Sequence, residues 1–202
     1  LLSKPVLDLI HPDDHAAAVH GARSLAAGEE VAQRYENRLR CKDGSYADVR
    51  DRGFILRDAN GRAIRALGGM LDITQHKRDE ANLRLLRQAI EATDNGIAIC
   101  DARQPDMPIV YVNPAFEAIT GYTQAEVEGR NCRFLQGTDT AQPGIAALRA
   151  ALAGEREAKA LLRNYRKDGG MFWNEFHVAP VRDADGRPTH FVGVLSDISE
   201  RQ

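Results

Sequence analysis

Three short motifs occur twice in this chain, always the same distance apart. Lys42-Asp43-Gly44 returns as Lys167-Asp168-Gly169, Arg57-Asp58-Ala59-Asn60-Gly61-Arg62 as Arg182-Asp183-Ala184-Asp185-Gly186-Arg187, and Asp72-Ile73 as Asp197-Ile198, all at an offset of 125 without a gap. A constant offset means that the segments between the motifs keep their lengths, so both copies must be built from the same elements. The clustered Asp, Asn and Gly residues are those that tight turns require. Between them lie stretches such as 171–181 and 191–195, rich in β-branched and aromatic residues. Each copy reads as strand, hairpin, long strand, hairpin, strand. The chain is therefore expected to form two homologous α+β domains with antiparallel sheets.

The second copy also shows what precedes its hairpins. Residues 96–101 and 109–113 read as two further strands, Pro114 opens a helix, and helical signals continue through 124–128, the turn around Cys132, and 143–153. In the first copy the equivalents of the two opening strands would fall before or barely after Leu1, so it is expected to be incomplete. His11, beside Pro12 and the cap-forming Asp13 and Asp14, reads as a helix-start residue and not as a metal ligand. Between the copies, residues 75–93 contain no Gly or Pro and read as a helix. Leu83, Leu86, Ile90 and Thr93 form a short heptad-like seam along it. That seam suits either a dimerising helix or one packed on its own domain's sheet.

Composition narrows the function classes. An apolar content of 43%, a charged content of 28% and a formal charge of -2 describe a globular chain with no bias towards nucleic acid or acidic membranes. Cys41, Cys100 and Cys132 are too few and scattered for a disulfide framework or metal cage, and a cytoplasmic setting is the default. No apolar run approaches the roughly 20 residues that span a bilayer, and no signal peptide is seen, although a chain starting at Leu1 is read as a fragment.

One run is too specific to be explained by helix formation or core filling: Gly129-Arg130-Asn131-Cys132-Arg133-Phe134-Leu135-Gln136. A thiol flanked by polar and cationic residues suits a short helix facing a lined cavity, where reactivity is set by nearby charge and access. Residue for residue, the run resembles the signature of the light-oxygen-voltage (LOV) branch of the PAS domains, and the region 95–199 resembles a LOV domain throughout. The resemblance implies a PAS fold, a five-stranded antiparallel sheet with helices on one face, and a flavin bound under it. It divides the chain into the C-terminal part of an ordinary PAS domain (1–74), a helical linker (75–94), a LOV domain (95–199) and the start of a signalling helix (200–202).

The resemblance also assigns a site. Cys132 would form the reversible covalent bond to the flavin. Asn164 and Asn174, the latter sharing a strand face with Phe176, match the asparagines that hydrogen-bond the ring. Arg133 and Arg149 match positions that grip the terminal phosphate, which favours FMN. Asn131 and Gln136 match positions along the ribityl chain, and Leu135, Ala98 and Cys100 match positions lining the ring. At the offset of 125, Asn164 and Asn174 become Leu39 and Val49, so the first copy is expected to bind no flavin. One departure stands out. Where the family has a glutamine near flavin N5 in a Gly-Val-Gln pattern, this chain has Gly193-Val194-Leu195. Leucine neither donates nor accepts a hydrogen bond, so the signal is expected to leave through Asn174, a water or the backbone of that strand.

These readings imply a blue-light sensory module and not an enzyme in itself. It would work as a homodimer, with no nucleic-acid or membrane partner, and pass its signal to an effector beyond Gln202 such as a histidine kinase or a cyclic-dinucleotide enzyme. A flavin redox sensor without adduct chemistry and a tandem PAS interaction module remain as alternatives.

Overall fold

The structure is a computed structural model that describes residues 4–27 and 34–201. It divides into two compact units, Leu1–Leu85 and Leu86–Gln202.

In the first unit, α1 (Lys4–Leu7) and α2 (His15–Ala27) precede β1 (Arg34–Arg40), β2 (Tyr46–Arg57) and β3 (Ala63–Asp72), an antiparallel sheet in the order β1-β2-β3. His11 caps the turn Pro12–Asp14, its Nδ1 accepting from the Asp13 N–H at 3.3 Å. Asp14 then fastens this turn to β1: it accepts from the Arg38 backbone N–H at 2.8 Å and from the guanidinium at 3.0 and 2.7 Å. Those side-chain bonds hold its carboxyl at about 2, against an ordinary value of 3.8. A depressed folded-state value stabilises fully above 3.8 and is lost as pH falls from there towards about 2. Asp14→Asn is therefore expected to flatten the acid limb of the first unit's stability over that window, as read by urea unfolding at successive pH values.

Residues 74–91 form α3 (Thr74–Glu91), which falls on both sides of the division between units. It buries no residue, and Leu83, Leu85 and Leu86 are exposed at 69%, 64% and 61%. The leucine seam is thus not packed into a core.

In the second unit, β4 (Gly96–Asp101), β5 (Ile109–Val112), β6 (Ala158–Tyr165), β7 (Met171–Arg182) and β8 (Pro188–Asp197) form an antiparallel sheet in the order β5-β4-β8-β7-β6. Between β5 and β6 run α4 (Pro114–Thr120), α5 (Gln124–Val127), a 3-10 turn (Cys132–Gln136) and α6 (Pro143–Ala153). Burial alternates along the strands, as a half-covered sheet demands. Leu162 and Asn164 on β6, Phe172, Asn174 and Val178 on β7, and Phe191 and Leu195 on β8 are all buried. Two apolar clusters join that face to the helices, one through Phe116, Val127 and Leu135, the other through Ile145 and Leu148.

The repeat is visible bond by bond. Gly44 and Gly169 both have φ +87°, and Gly61 and Gly186 have +78° and +80°, a region open to glycine at little cost. Asp58 Oδ1 accepts from the Asn60 and Arg62 N–H groups, and Asp183 Oδ1 from those of Asp185 and Arg187. Thr74 Oγ1 accepts from the Asp48 N–H, and Ser199 Oγ from that of Trp173. Equal motifs have folded equally. The copies differ in extent: among the described residues the first has three strands, so its expected sheet is present only as its last three.

Asn113, fully buried, organises the start of the second unit. Its Oδ1 accepts from the Ile97 N–H at 2.7 Å and, as the cap of α4, from the Phe116 N–H at 3.0 Å. Its Nδ2 donates to the Ile90 and Asn95 carbonyls, both at 3.0 Å. One carboxamide thus ties the end of α3, the entry to β4 and the start of α4. At the far end Ser199–Arg201 form a 3-10 turn, while Gln202, the last residue of the expected signalling-helix start, lies outside the described residues.

Candidate functional site: a cavity between sheet and helices

The Cys132 run is held at both ends by glycines that side chains would strain. Gly129 has φ +79°, and its N–H bonds the Ile109 carbonyl of β5 at 2.9 Å. Gly137 has φ +54° and ends the turn beside the Tyr165 ring. Between them Asn131 caps the turn, its Oδ1 accepting from the Arg133 N–H at 2.9 Å. Arg130 lies on the outside with its guanidinium 4.2 Å from the centre of the Phe134 ring, a cation–π contact that holds the turn down. These restraints leave the Cys132 thiol facing inward.

It faces a cavity of about 570 Å³ between the sheet and the helices. Every residue that the sequence points to lines this space, from Cys100, Asn131, Cys132, Arg133, Leu135 and Gln136 through Arg149, Asn164, Asn174 and Phe176 to Leu195, with the exception of Ala98. Ala98 is fully buried in the cluster of Phe116, Leu135 and Leu195. It is a core residue here, since its single methyl is already covered by those larger side chains. Sequence reasoning missed most of the apolar lining: Ile145, Leu148 and Leu152 on α6, and Leu162, Val178 and Phe191 on the strands. The signal was present. The α6 residues recur three and four apart around Arg149, and each strand residue lies two or four positions from one already singled out, on the same face. Gly193 also lines the cavity: a Cβ there would come within 2.7 Å of the Phe176 ring, so only glycine lets that ring lie across β8.

The polar groups are few and linked. Asn174 Nδ2 donates to Asn164 Oδ1 at 2.8 Å, Asn164 Nδ2 donates to the Arg163 carbonyl at 3.1 Å, and Asn174 Oδ1 accepts from the Ser196 N–H of β8 at 3.2 Å. Each amide nitrogen carries a second hydrogen beyond these bonds. Arg133 and Arg149 are both exposed where they border the cavity. Arg133 is bridged to Asp106, whereas Arg149 has no ion-pair partner among the described residues.

The sulfurs of Cys132 and Cys100 are 3.6 Å apart. The neighbouring Cys100 sulfur, together with burial, pushes the Cys132 thiol well above its ordinary value, so it stays protonated at neutral pH. The hydrogen bond with Cys132 draws the Cys100 thiol down. The site thus combines an apolar slot, paired carboxamides on one wall, a protonated thiol on the other and guanidinium groups at its border. That is the outline of a planar, hydrogen-bonding ligand with an anionic tail.

An antiparallel sheet closed by helices over such a cavity defines a PAS-type sensory domain, and comparison with known proteins agrees. A PAS domain model matches residues 94–200, and a PAS fold model matches residues 1–70. The chain belongs to the PAS domain family. It is 47% identical over 112 residues to a blue-light-activated histidine kinase of Rhizobium johnstonii, covering 55% of this chain and 32% of that protein. It is 44% identical over 122 residues to the bacterioopsin transcriptional activator of Halobacterium salinarum, covering 60% of this chain and 18% of that protein. The light-state structure of the LOV domain of the blue-light photoreceptor Aureochrome1 is 42% identical, with a TM-score of 0.51, and covers 58% of this chain and 91% of that one. The chain thus spans less than a third of these two curated relatives. No described helix is long and apolar enough to cross a membrane.

Proposed function

We propose that the second unit is a blue-light sensor that holds FMN in the cavity and uses Cys132 as its reactive group. One observation carries this reading: the Cys132 thiol and the Asn164–Asn174 carboxamide pair line the same slot. The residues fit the cofactor. A cavity of about 570 Å³ is of the size that ligand pockets have, the carboxamides keep hydrogens for a ring edge, and Arg149, without a carboxylate partner, suits a phosphate. Arg133 joins it by exchanging its bridge to Asp106. Asn131 and Gln136, which line the cavity with Arg133, would hold the ribityl chain.

Bound FMN supplies blue absorption and an electrophilic ring carbon, C4a. With FMN bound, Cys132 would supply the sulfur for a bond to that carbon and the proton for ring atom N5, and would regain its proton in the dark. Because the thiol is held protonated, the proton needed at N5 is already in the site. Leu195 lies at the cavity wall and contributes packing only. Asn174 is the chain's means of reading the change: its oxygen accepts from the Ser196 N–H of β8, and the remaining hydrogen of its amide would be free to bond the ring edge. From β8 the signal passes to an effector outside this chain, and a second copy of the chain pairs along the exposed leucines of α3. The first unit is a PAS domain without flavin.

The test is an absorption spectrum of the chain, incubated with FMN and freed of unbound flavin, before and after a blue flash. Loss of the flavin's blue band followed by thermal recovery in the dark is expected. A colourless protein would overturn the reading, and bound flavin that never bleaches would leave a redox sensor instead. Flavin released by denaturation is expected at one equivalent per chain, since Leu39 and Val49 replace the asparagines in the first unit; two equivalents would contradict the division of labour between the copies.

A further inference from the structure

Cys100, on β4, plays no part in the chemistry just described, yet its sulfur lies 3.6 Å from that of Cys132 and borders the same cavity. The two are 32 residues apart in sequence and brought together only by the fold. The third cysteine, Cys41, is exposed and belongs to the first unit. A disulfide needs its sulfurs at about 2.05 Å, so this pair must close by roughly 1.5 Å, within reach of side-chain rotation. Both thiols are only partly buried, so a small oxidant can reach them.

We propose that Cys100 and Cys132 form a disulfide on exposure to a hydroperoxide, and that this modification switches the light sensor off by withdrawing the Cys132 sulfur. The chemistry balances with the hydroperoxide as two-electron oxidant. The Cys100 thiolate attacks the outer peroxide oxygen, an S–O bond forms, the O–O bond breaks, and the departing oxygen leaves as water or alcohol. The resulting sulfenic acid is displaced by the Cys132 sulfur: the S–S bond forms, and the hydroxyl leaves with the Cys132 proton as a second water. Cys100 is suited to attack first because the hydrogen bond with Cys132 favours its thiolate. The disulfide leaves Cys132 no S–H to bond the ring or to supply a proton. A thiol reductant returns both groups. The switching half of the proposal rests on the photochemical reading above; the disulfide itself does not.

The experiment uses the full FMN-loaded chain carrying Cys41→Ser, which leaves only the two thiols in question. The protein is titrated with hydrogen peroxide in the dark, free thiols are blocked by alkylation, and the digest is mapped by mass. The expected result is one peptide pair joined through Cys100 and Cys132, lighter by two hydrogens, in a chain that stays uncrosslinked to others and is restored by dithiothreitol. The bleaching amplitude should fall in proportion to the crosslinked fraction. In Cys100→Ala the joined peptide should be absent, and peroxide should instead leave Cys132 alkylatable or trapped as a sulfenic acid. Two alkylatable thiols after peroxide, or oxygenated Cys132 with Cys100 still free in the parent, would overturn the proposal. Crosslinked protein that bleaches as fully as the reduced form would overturn the switching half. A crosslink in a chain that never bleaches, oxidised or reduced, would support the modification site while ending the photochemical reading.

Discussion

Cys132→Ala is expected to retain FMN and lose reversible bleaching completely. The substitution removes one sulfur from a cavity whose ligand contacts are spread over the strands and α6, so binding should survive. The apolar slot, the carboxamide pair and the guanidinium groups are all left in place. What disappears is the only thiol on the helical wall. Cys100 lies 3.6 Å from it, but on strand β4. Its backbone is fixed by pairing with β5 and β8, so it cannot move into the place that the turn gives Cys132, and no residual bleaching through Cys100 is expected. The check is the flash spectrum of Cys132→Ala beside that of Cys100→Ala/Cys132→Ala, each with its flavin content measured. A single variant that bleached and recovered like the parent would end the adduct mechanism.

Asn113→Ala should destabilise the second unit by about 3 kcal/mol. Loss of a helix cap alone costs roughly 1 kcal/mol. The substitution also strands the Ile97 N–H and the Ile90 and Asn95 carbonyls, and each buried polar group left unpaired costs about 1–3 kcal/mol unless water reaches it. Asn113 itself is fully buried, but its partners at Ile90, Asn95 and Ile97 are only part-buried or exposed, so water offsets part of that cost. Urea unfolding followed at Trp173, the single tryptophan, reports on this unit. The midpoint should fall with the slope unchanged, since the surface exposed on unfolding is nearly the same. A loss below about 1 kcal/mol would mean that relaxation or water replaces the four bonds.

Much of this architecture was legible in the residue order, because its signals are local. Pro143 at a helix start gave α6 with the bounds seen, 143–153, and the strand 96–101 was read with the bounds of β4. Turn glycines separated by 125 positions predicted backbone angles that agree within a few degrees. Asn113 was legible only in part. It closed a strand and preceded a helix-opening proline, but the four bonds it makes depend on segments at Ile90, Asn95 and Ile97 that local pattern does not bring to it. Ala98 went the other way. The family resemblance gave it a place in the cavity wall, and only packing against Phe116 and Leu195 decided that it lies in the core.

The chain's residue order by itself determined the repeated hairpins, the strand and helix spacing and the unusual run around Cys132, since turn geometry and side-chain alternation depend on neighbours a few positions away. Tertiary structure alone decided which polar groups meet. Asn174 bridging to Ser196, Arg133 engaging Asp106, and two sulfurs 32 positions apart coming within 3.6 Å all result from sheet pairing and from helices closing over the sheet. Hydrogen bonds and thiol chemistry act over a few ångströms, a distance that separation along the chain does not measure.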